Sequence, residues 1–436
     1  MKRKLFILIL PVFMLLSLFA LEHVNTDLKP PRFLQHLMAQ SATVGNAPSE
    51  ILTTHLPILV IDTGNQVMPG ETTGEKDRFG ESFYTVAADG RDVISGSLQI
   101  MDNSKQPNQS NDEPVMKSLI DIRIRGHASR IFPKKSYLIR LRDEQAENLN
   151  IPLLGMGAHH EWVLHGPFID QTLLRNYMWY NISGNIMDYA PNVRFCEVIL
   201  DGDYKGLYVL TESITNGEDR LGLTKTAKNA QAIGYLLKAD RPYEADLGSV
   251  RDIYTYAERM GLLHQDISIV YPGTKNLTPE LAKRIELNVS AFERALYSYD
   301  FNDPLYGYRQ YIDTQSFVNY FIINEISGNA DAALYSTYLY KLPGGLFKLC
   351  VWDFNNACDN FIGANIDPEG FNMTDRIWYF MLMKDEHFVH EILETYEKLR
   401  ETLLSDTALE TFIDETLAYL GPAIERNNTR WQQEIL

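Results

Sequence analysis

Hydrophobic positions recur along the chain with two periods, and the change from one to the other divides it. Between Leu56 and Asp240 apolar residues alternate with polar ones or run in short blocks bounded by Gly, Asp and Asn, the signature of strands. Leu56–Ile61, Val93–Met101, Glu161–His165 and Gly234–Asp240 read this way. In Lys117–Leu141, Ile122 and Ile124 alternate with Arg123 and Arg125, the pattern breaks at Gly126, and it resumes at Ser136, predicting a hairpin-like pair with basic residues in its connection. Asp201-Gly202, between Arg194–Leu200 and Lys205–Thr211, is a two-residue hairpin turn signal. One helix interrupts this half, predicted from Gln171 to about Met187 with Asp170 as its cap and Leu173, Leu174, Tyr177 and Met178 on its buried side. From Pro279 the period lengthens: Leu281, Ile285, Phe292 and Leu296 mark one helix, and Arg376–Met383, His387–Leu404 and Ala408 to the end mark others. Strands first and helices second predict an α+β fold with a sheet-rich N-terminal part and a helix-rich C-terminal part.

The densest pattern is Asp313–Asn360. Phe317, Phe321, Ile322, Ile323 and Ile326 place an apolar face on a helix for which Thr314 is a plausible N-cap, and Gly328-Asn329 end it. Ala333–Lys341 and Leu346–Val351 then read as two strands joined at Pro343-Gly344-Gly345, an antiparallel hairpin. That hairpin sets residue 353 roughly opposite residue 334, so Asp331, Ser336 and Asp353 are expected to converge at its open end. Two carboxylates and a hydroxyl are the base and the hard oxygen ligands of a magnesium-assisted phosphoryl transfer.

Composition narrows the class. A 436-residue chain with 45% hydrophobic residues has room for two cores. With 57 Asp and Glu against 40 Lys and Arg, a formal charge of −17, it lacks the basic face that nucleic acids require. Lys2, Arg3 and Lys4 before an apolar run from Leu5 to Leu21 form an export signal, either a cleaved peptide or an uncleaved anchor, and place the body of the protein outside the cytoplasm. Membrane contact is expected only through that segment. Residues 1–25 are the signal or anchor and 26–55 a linker. Three cysteines, Cys196, Cys350 and Cys358, are too few for a disulfide framework, although Cys350 and Cys358 flank the acidic element and could pair.

The order helix, Asp, polar ligand five residues on, hairpin, Asp-Phe is that of the catalytic half of a protein kinase, without an HRD sequence. The stretch resembles the CotH family of spore-coat-protein-H-like secreted atypical kinases, in Asp331, Ser336-Thr337-Tyr338-Leu339-Tyr340 and Trp352-Asp353-Phe354-Asn355. Three further blocks are similar to family elements: Arg125-Gly126 through Ser129 to Pro133-Lys134-Lys135-Ser136-Tyr137; Trp162 with Asp170, Leu173, Arg175 and Asn176; and Tyr204 to Glu212. The resemblance runs from about Leu56 to Trp431. It implies an atypical protein-kinase-like domain over 56–436, with an N-lobe of about 56–240 and a C-lobe of about 241–436.

By the same resemblance Asp331 orients or deprotonates the acceptor hydroxyl, while Asp353 and Ser336 hold Mg²⁺ or Mn²⁺. Lys135, with Lys134 next, meets the phosphates of ATP, assisted by Arg125 and Ser129; Glu212 faces the nucleotide or the lysine. The helix that should supply a glutamate to that lysine has none, so Asp170 or a strand glutamate must substitute. The implied partners are ATP and a secreted, spore-coat or envelope protein phosphorylated on Ser or Thr. Ser336 in place of a kinase's Asn, and Asn355 in place of the second acid of Trp-Asp-Phe-Asp, motivate an alternative: a non-catalytic structural or assembly protein of the envelope or spore surface. A polysaccharide-binding module rests only on the 24 Tyr and 5 Trp.

Overall fold

In the first half of the chain, side chains alternate between the inside of a barrel and a helical layer outside it. The computed structural model describes residues 32–38, 51–76, 82–103, 105–224, 233–241, 251–263, 265–360, 367 and 369–435. The chain divides into two units, Met1–Phe33 and Leu34–Leu436, and all elements named here lie in the second. The export signal falls outside the described residues; among those described, no helix is long and apolar enough to cross a membrane.

The barrel strands are β1 (Ile58–Asp62), β2 (Ile94–Met101), β3 (Met116–Arg125), β4 (Ser136–Arg142) and β5 (Glu161–His165), then, after helix α1 (Arg175–Ile186), β6 (Val193–Leu200) and β7 (Asp203–Glu212). They close in the order β5-β7-β6-β1-β2-β3-β4, with β4 hydrogen-bonded back to β5. Every pair is antiparallel except β6 with β1. Closure removes sheet edges. Ile120, Ile122 and Ile124, with Ile139, Leu141, Trp162, Leu164, Cys196 and Val198, fill the interior, whereas Leu138, Val163, Phe195 and Leu207 point outward into the helical core. The period of two serves two cores at once. The turn Asp201-Gly202 has φ of 50° and 79°, as a primed hairpin turn demands.

The second sheet holds β8 (Tyr235–Asp240), β9 (Arg251–Ile253) and β10 (Asp266–Tyr271), then, after helices α2 (Pro279–Leu296) and α3 (Thr314–Ile326), β11 (Thr337–Lys341) and β12 (Phe347–Cys350), in the order β9-β10-β8-β11-β12. Thus β8, the last strand of the sheet-rich stretch in sequence, pairs with β10 and β11 instead of with the barrel. Helices α4 (Glu386–Arg400), α5 (Asp406–Leu420) and α6 (Pro422–Ile435) complete the chain. The last two were expected to be one helix. Gly421, at φ 45°, ends α5, and Pro422 starts α6.

Three other local expectations change. Helix α1 begins at Arg175, not Gln171, because the Asp170 carboxylate accepts from Thr172 N–H, Thr172 Oγ1 and Arg175 N–H and so builds a turn ahead of the helix. Asn176 to Ser183 are all buried, so α1 runs through the core instead of presenting one apolar stripe. Within the stretch expected to be a linker, Gln35 exchanges two hydrogen bonds with the backbone of Phe195 and His36 N–H donates to Tyr177 OH, so this short segment is docked on β6 and α1. The three cysteines are free thiols; Cys350 is buried and Cys358 exposed, and no disulfide joins them.

Candidate active site

Asp331 lies in the connection between α3 and β11. The helix begins one residue earlier than expected, with Asp313 as N-cap accepting from Ser316 N–H, and it ends at Ile326, with Ser327 as C-cap and Gly328 following at φ 54°. The following residues are not strand. The Asp331 carbonyl accepts from the N–H groups of Leu334 (3.0 Å) and Tyr335 (2.9 Å), and Ala333 and Ser336 adopt φ of 58° and 49°, so β11 starts only at Thr337. Propensity favoured extension there, but the Arg376 guanidinium takes the carbonyls of Ala330 (2.9 Å) and Ala332 (2.8 Å) on either side of Asp331 and holds the turn.

Asp353 follows β12 and sits at φ 57°, a conformation that costs a non-glycine residue of the order of 1 kcal/mol and persists where its surroundings over-determine it. Here they do. Asp353 N–H donates to Tyr180 OH (2.9 Å), Phe354 N–H to Asn176 Oδ1 (2.8 Å), and Asn329 Nδ2 to the Asp353 carbonyl (3.2 Å). Asn176 Nδ2 also donates to Asn355 Oδ1 at 3.0 Å, which makes the residue standing in place of the second acid an acceptor for α1. One residue further, Asn356 Nδ2 donates to Asp331 Oδ2 at 2.6 Å and closes the acidic element onto the Asp331 turn.

Asp353 feels the charge of Asp331. Burial is the largest influence on Asp353 and pushes its carboxyl up; the charge on Asp331 and that on Asp240 push the same way, against the Asn355 N–H and Arg125. Burial likewise raises Asp331, opposed by Asn356 and by Arg241, with Asp240 again raising it. Asp240, at the end of β8, is paired with Lys238 at 2.5 Å. It was not read from the sequence as a site residue, and only the pairing of β8 with β11 brings it to these acids.

Among the described residues no group of three or more His, Cys, Asp or Glu is arranged to hold a metal. The donor set nonetheless fits Mg²⁺ or Mn²⁺ shared with a nucleotide, which needs only one or two protein carboxylates. Asn329 Oδ1 is a hard oxygen, buried beside Asp353 with no hydrogen-bond partner. Ser336 has no hydrogen bond to either aspartate; its left-handed backbone places it at the mouth of β11.

The basic residues separate into distinct environments. Arg125, opposite Ser136 in the β3–β4 pair, lies 5.3 Å over the Trp352 ring and so links the barrel to the residue before Asp353. Gly126 has φ 103°, and a Cβ there would meet Ser129 Oγ at 2.0 Å, so Ser129 folds its hydroxyl back over the glycine. Lys135 donates to the Arg130 carbonyl at 2.7 Å and pairs with Glu71 at 3.0 Å. Glu71 is therefore the lysine's carboxylate partner, supplied from a turn before the first signature block. Asp170 pairs with Arg175 instead.

Lys134 and Glu212 are occupied elsewhere. The Lys134 ammonium, 2% exposed, donates to Leu207 O and Asn427 Oδ1, both at 2.6 Å, and burial holds its pKa well below that of an ordinary lysine. Glu212 accepts from Asn192 N–H and Nδ2, from Tyr189 OH and from Arg220, the last at 2.7 Å with both side chains fully buried. His165 was also overlooked: it lies 3.5 Å from Ser136 Oγ, and burial, then Arg125 and Lys134, lower its pKa to about 3.

A closed barrel joined to an antiparallel sheet, with two half-buried aspartates on the connections of one hairpin, defines an α+β protein. The family model described as CotH kinase protein matches residues 122–434, and the chain belongs to that family. The match starts at Ile122 in β3, later than the expected Leu56. No curated protein sequence matches the chain.

Proposed function

We propose that this chain is an exported atypical protein kinase that moves the γ-phosphoryl group of ATP to Ser or Thr hydroxyls of a secreted, spore-coat or envelope protein. The observation that carries the reading is the Asn356 bridge, which holds Asp331 against the turn of Asp353, while burial raises both carboxyls and the charge on Asp331 raises Asp353 further. The barrel acts as the nucleotide-side lobe and the second sheet with its helices as the acceptor-side lobe. Asp331 orients the acceptor hydroxyl and takes its proton, a task favoured by its raised proton affinity. Asp353, with Asn329 Oδ1 or Ser336, would hold Mg²⁺ or Mn²⁺, whose charge offsets that of the phosphates when bound. Lys135, kept by Glu71, and Arg125, kept by Trp352, supply cationic contacts to phosphate oxygens.

A second reading, a non-catalytic assembly protein of the envelope, is favoured by the internal saturation of Lys134 and Glu212. Phosphate transfer from γ-labelled ATP by the full chain, beside Asp331→Ala and Asp353→Ala, separates the two. Label that disappears in both variants supports the kinase. No transfer and no thermal stabilisation by ATP with Mg²⁺ or Mn²⁺ would sink it.

A further inference from the structure

An open pocket of about 530 Å³ adjoins the Asp331 turn, and two of its lining residues belong to the machinery of that turn. Leu334 lines it, and Leu334 N–H is hydrogen-bonded to the Asp331 carbonyl. Arg376 lines it too, with its guanidinium spent on the carbonyls of Ala330 and Ala332. Among the other lining residues Gln265, Asn372 and Asp375 are polar, while Leu262, Phe371 and Phe380 are 45%, 69% and 47% exposed and the Tyr297 hydroxyl donates to the Ile377 carbonyl. Large apolar side chains left in water singly need no explanation, but three around one concavity do. The walls are braced, since the Phe371 ring lies 6.1 Å from the buried Phe321 of α3.

We infer that this pocket selects the acceptor: it takes an aromatic or long aliphatic side chain of an extended polypeptide, two to three residues from the Ser or Thr presented to Asp331. The inference rests on the kinase reading and deepens it. Residues joined by an i to i+3 turn bond have Cα atoms within about 7 Å, so Leu334 stands close to Asp331. An extended chain advances about 3.3 Å per residue, which converts that separation into two or three positions. Charge sets the rest of the motif. Asp375 is exposed in the lining beside Arg376, so the pocket carries both signs of charge, and a basic residue beside the apolar one would meet Asp375.

The test uses the full chain with γ-labelled ATP and a library of Ser-containing peptides in which each flanking position is varied in turn. The expected result is a preference for Phe, Tyr, Leu or Met over Ala of about tenfold in kcat/KM, confined to one position two or three residues from Ser. In Phe371→Ser and, separately, Leu262→Ser, that ratio should fall towards one through a rise in KM. Transfer without any apolar preference, or a preference that both variants retain, overturns the pocket and leaves the kinase standing. No transfer, with fluorescence-detected binding of the Phe peptide that Phe371→Ser abolishes, removes the kinase and keeps the pocket. Neither transfer nor binding overturns both. Self-association in sedimentation that Phe371→Ser abolishes would assign the pocket to a second copy of the chain and overturn the inference.

Discussion

Asn356 Nδ2 donates to Asp331 Oδ2 at 2.6 Å across 25 residues of chain, and with the Asn329 bond to the Asp353 carbonyl it ties the two acidic elements together. It also opposes the burial that raises the Asp331 carboxyl. Asn356→Ala should leave Asp331 in place on its turn, which Arg376 holds, but unanchored and more readily protonated. The expected outcome is a fall in kcat of about ten- to a hundredfold with little change in KM for ATP, measured in the labelled-ATP assay.

The raised Asp353 carboxyl has a defined sign in stability. Its native pKa lies above the ordinary 3.8, so the native state binds the proton more tightly than the unfolded chain does. The group therefore costs stability as pH rises from about 3.8 through the native value, and the full cost is present above it. Asp353→Asn should raise Tm at pH 8 relative to the parent and flatten that part of the pH profile. It should also abolish any thermal shift produced by Mg²⁺ or Mn²⁺ with ATP.

His165 works in the opposite sense. Burial lowers its pKa from 6.5 to about 3, so the native state prefers the neutral ring. Stability from this residue is complete above pH 6.5 and is lost as pH falls from 6.5 towards 3. His36 and His160, each lowered to about 4, add to the same trend. Thermal melts from pH 7.5 to 4.5 should show Tm falling, with a shallower fall in His165→Asn.

Adjacent lysines should separate by assay. Lys135→Met removes the cation paired with Glu71 and should raise KM for ATP by about tenfold with little change in Tm, because the carboxylate is half exposed. Lys134→Met removes the ammonium bonds to Leu207 O and Asn427 Oδ1, the latter keeping only Leu207 N–H, and should cost about 1–3 kcal/mol in urea melts, with KM for ATP unchanged in the folded fraction.

Helix α6 is clamped to the barrel by a buried pair. Arg426 donates to Glu197 Oε1 at 2.9 Å and Oε2 at 2.7 Å, and Tyr204 OH completes the set on a carboxylate that is fully buried. Arg426→Met should destabilise by about 3–5 kcal/mol, because Glu197 is left charged in the interior. Glu197→Gln with Arg426→Met should recover much of that loss in the same melts.

What the sequence determined by itself were features written in short-range pattern. The strands of β3 and β4, the Asp-Gly turn, the α2 helix from Pro279, and the β11–β12 hairpin all follow from periods of 2 and 3.6 and from turn residues. The approach of Asp331 to Asp353 was legible for the same reason, since one hairpin carries both within a few residues of its ends. Tertiary structure decided where local preference met a stronger long-range partner. Ala333–Ser336 has strand composition, but Arg376, 40 and more residues away, pays out its hydrogen bonds to a turn. Barrel closure, the seating of β8 beside β11 and the resulting approach of Asp240 depend on backbone pairing between distant strands, which no local window contains. The fates of Lys134, Lys135 and Glu212 were settled by Asn427, Glu71 and Arg220, because a buried charge takes whichever partner the packed fold brings within reach, whatever its distance in sequence.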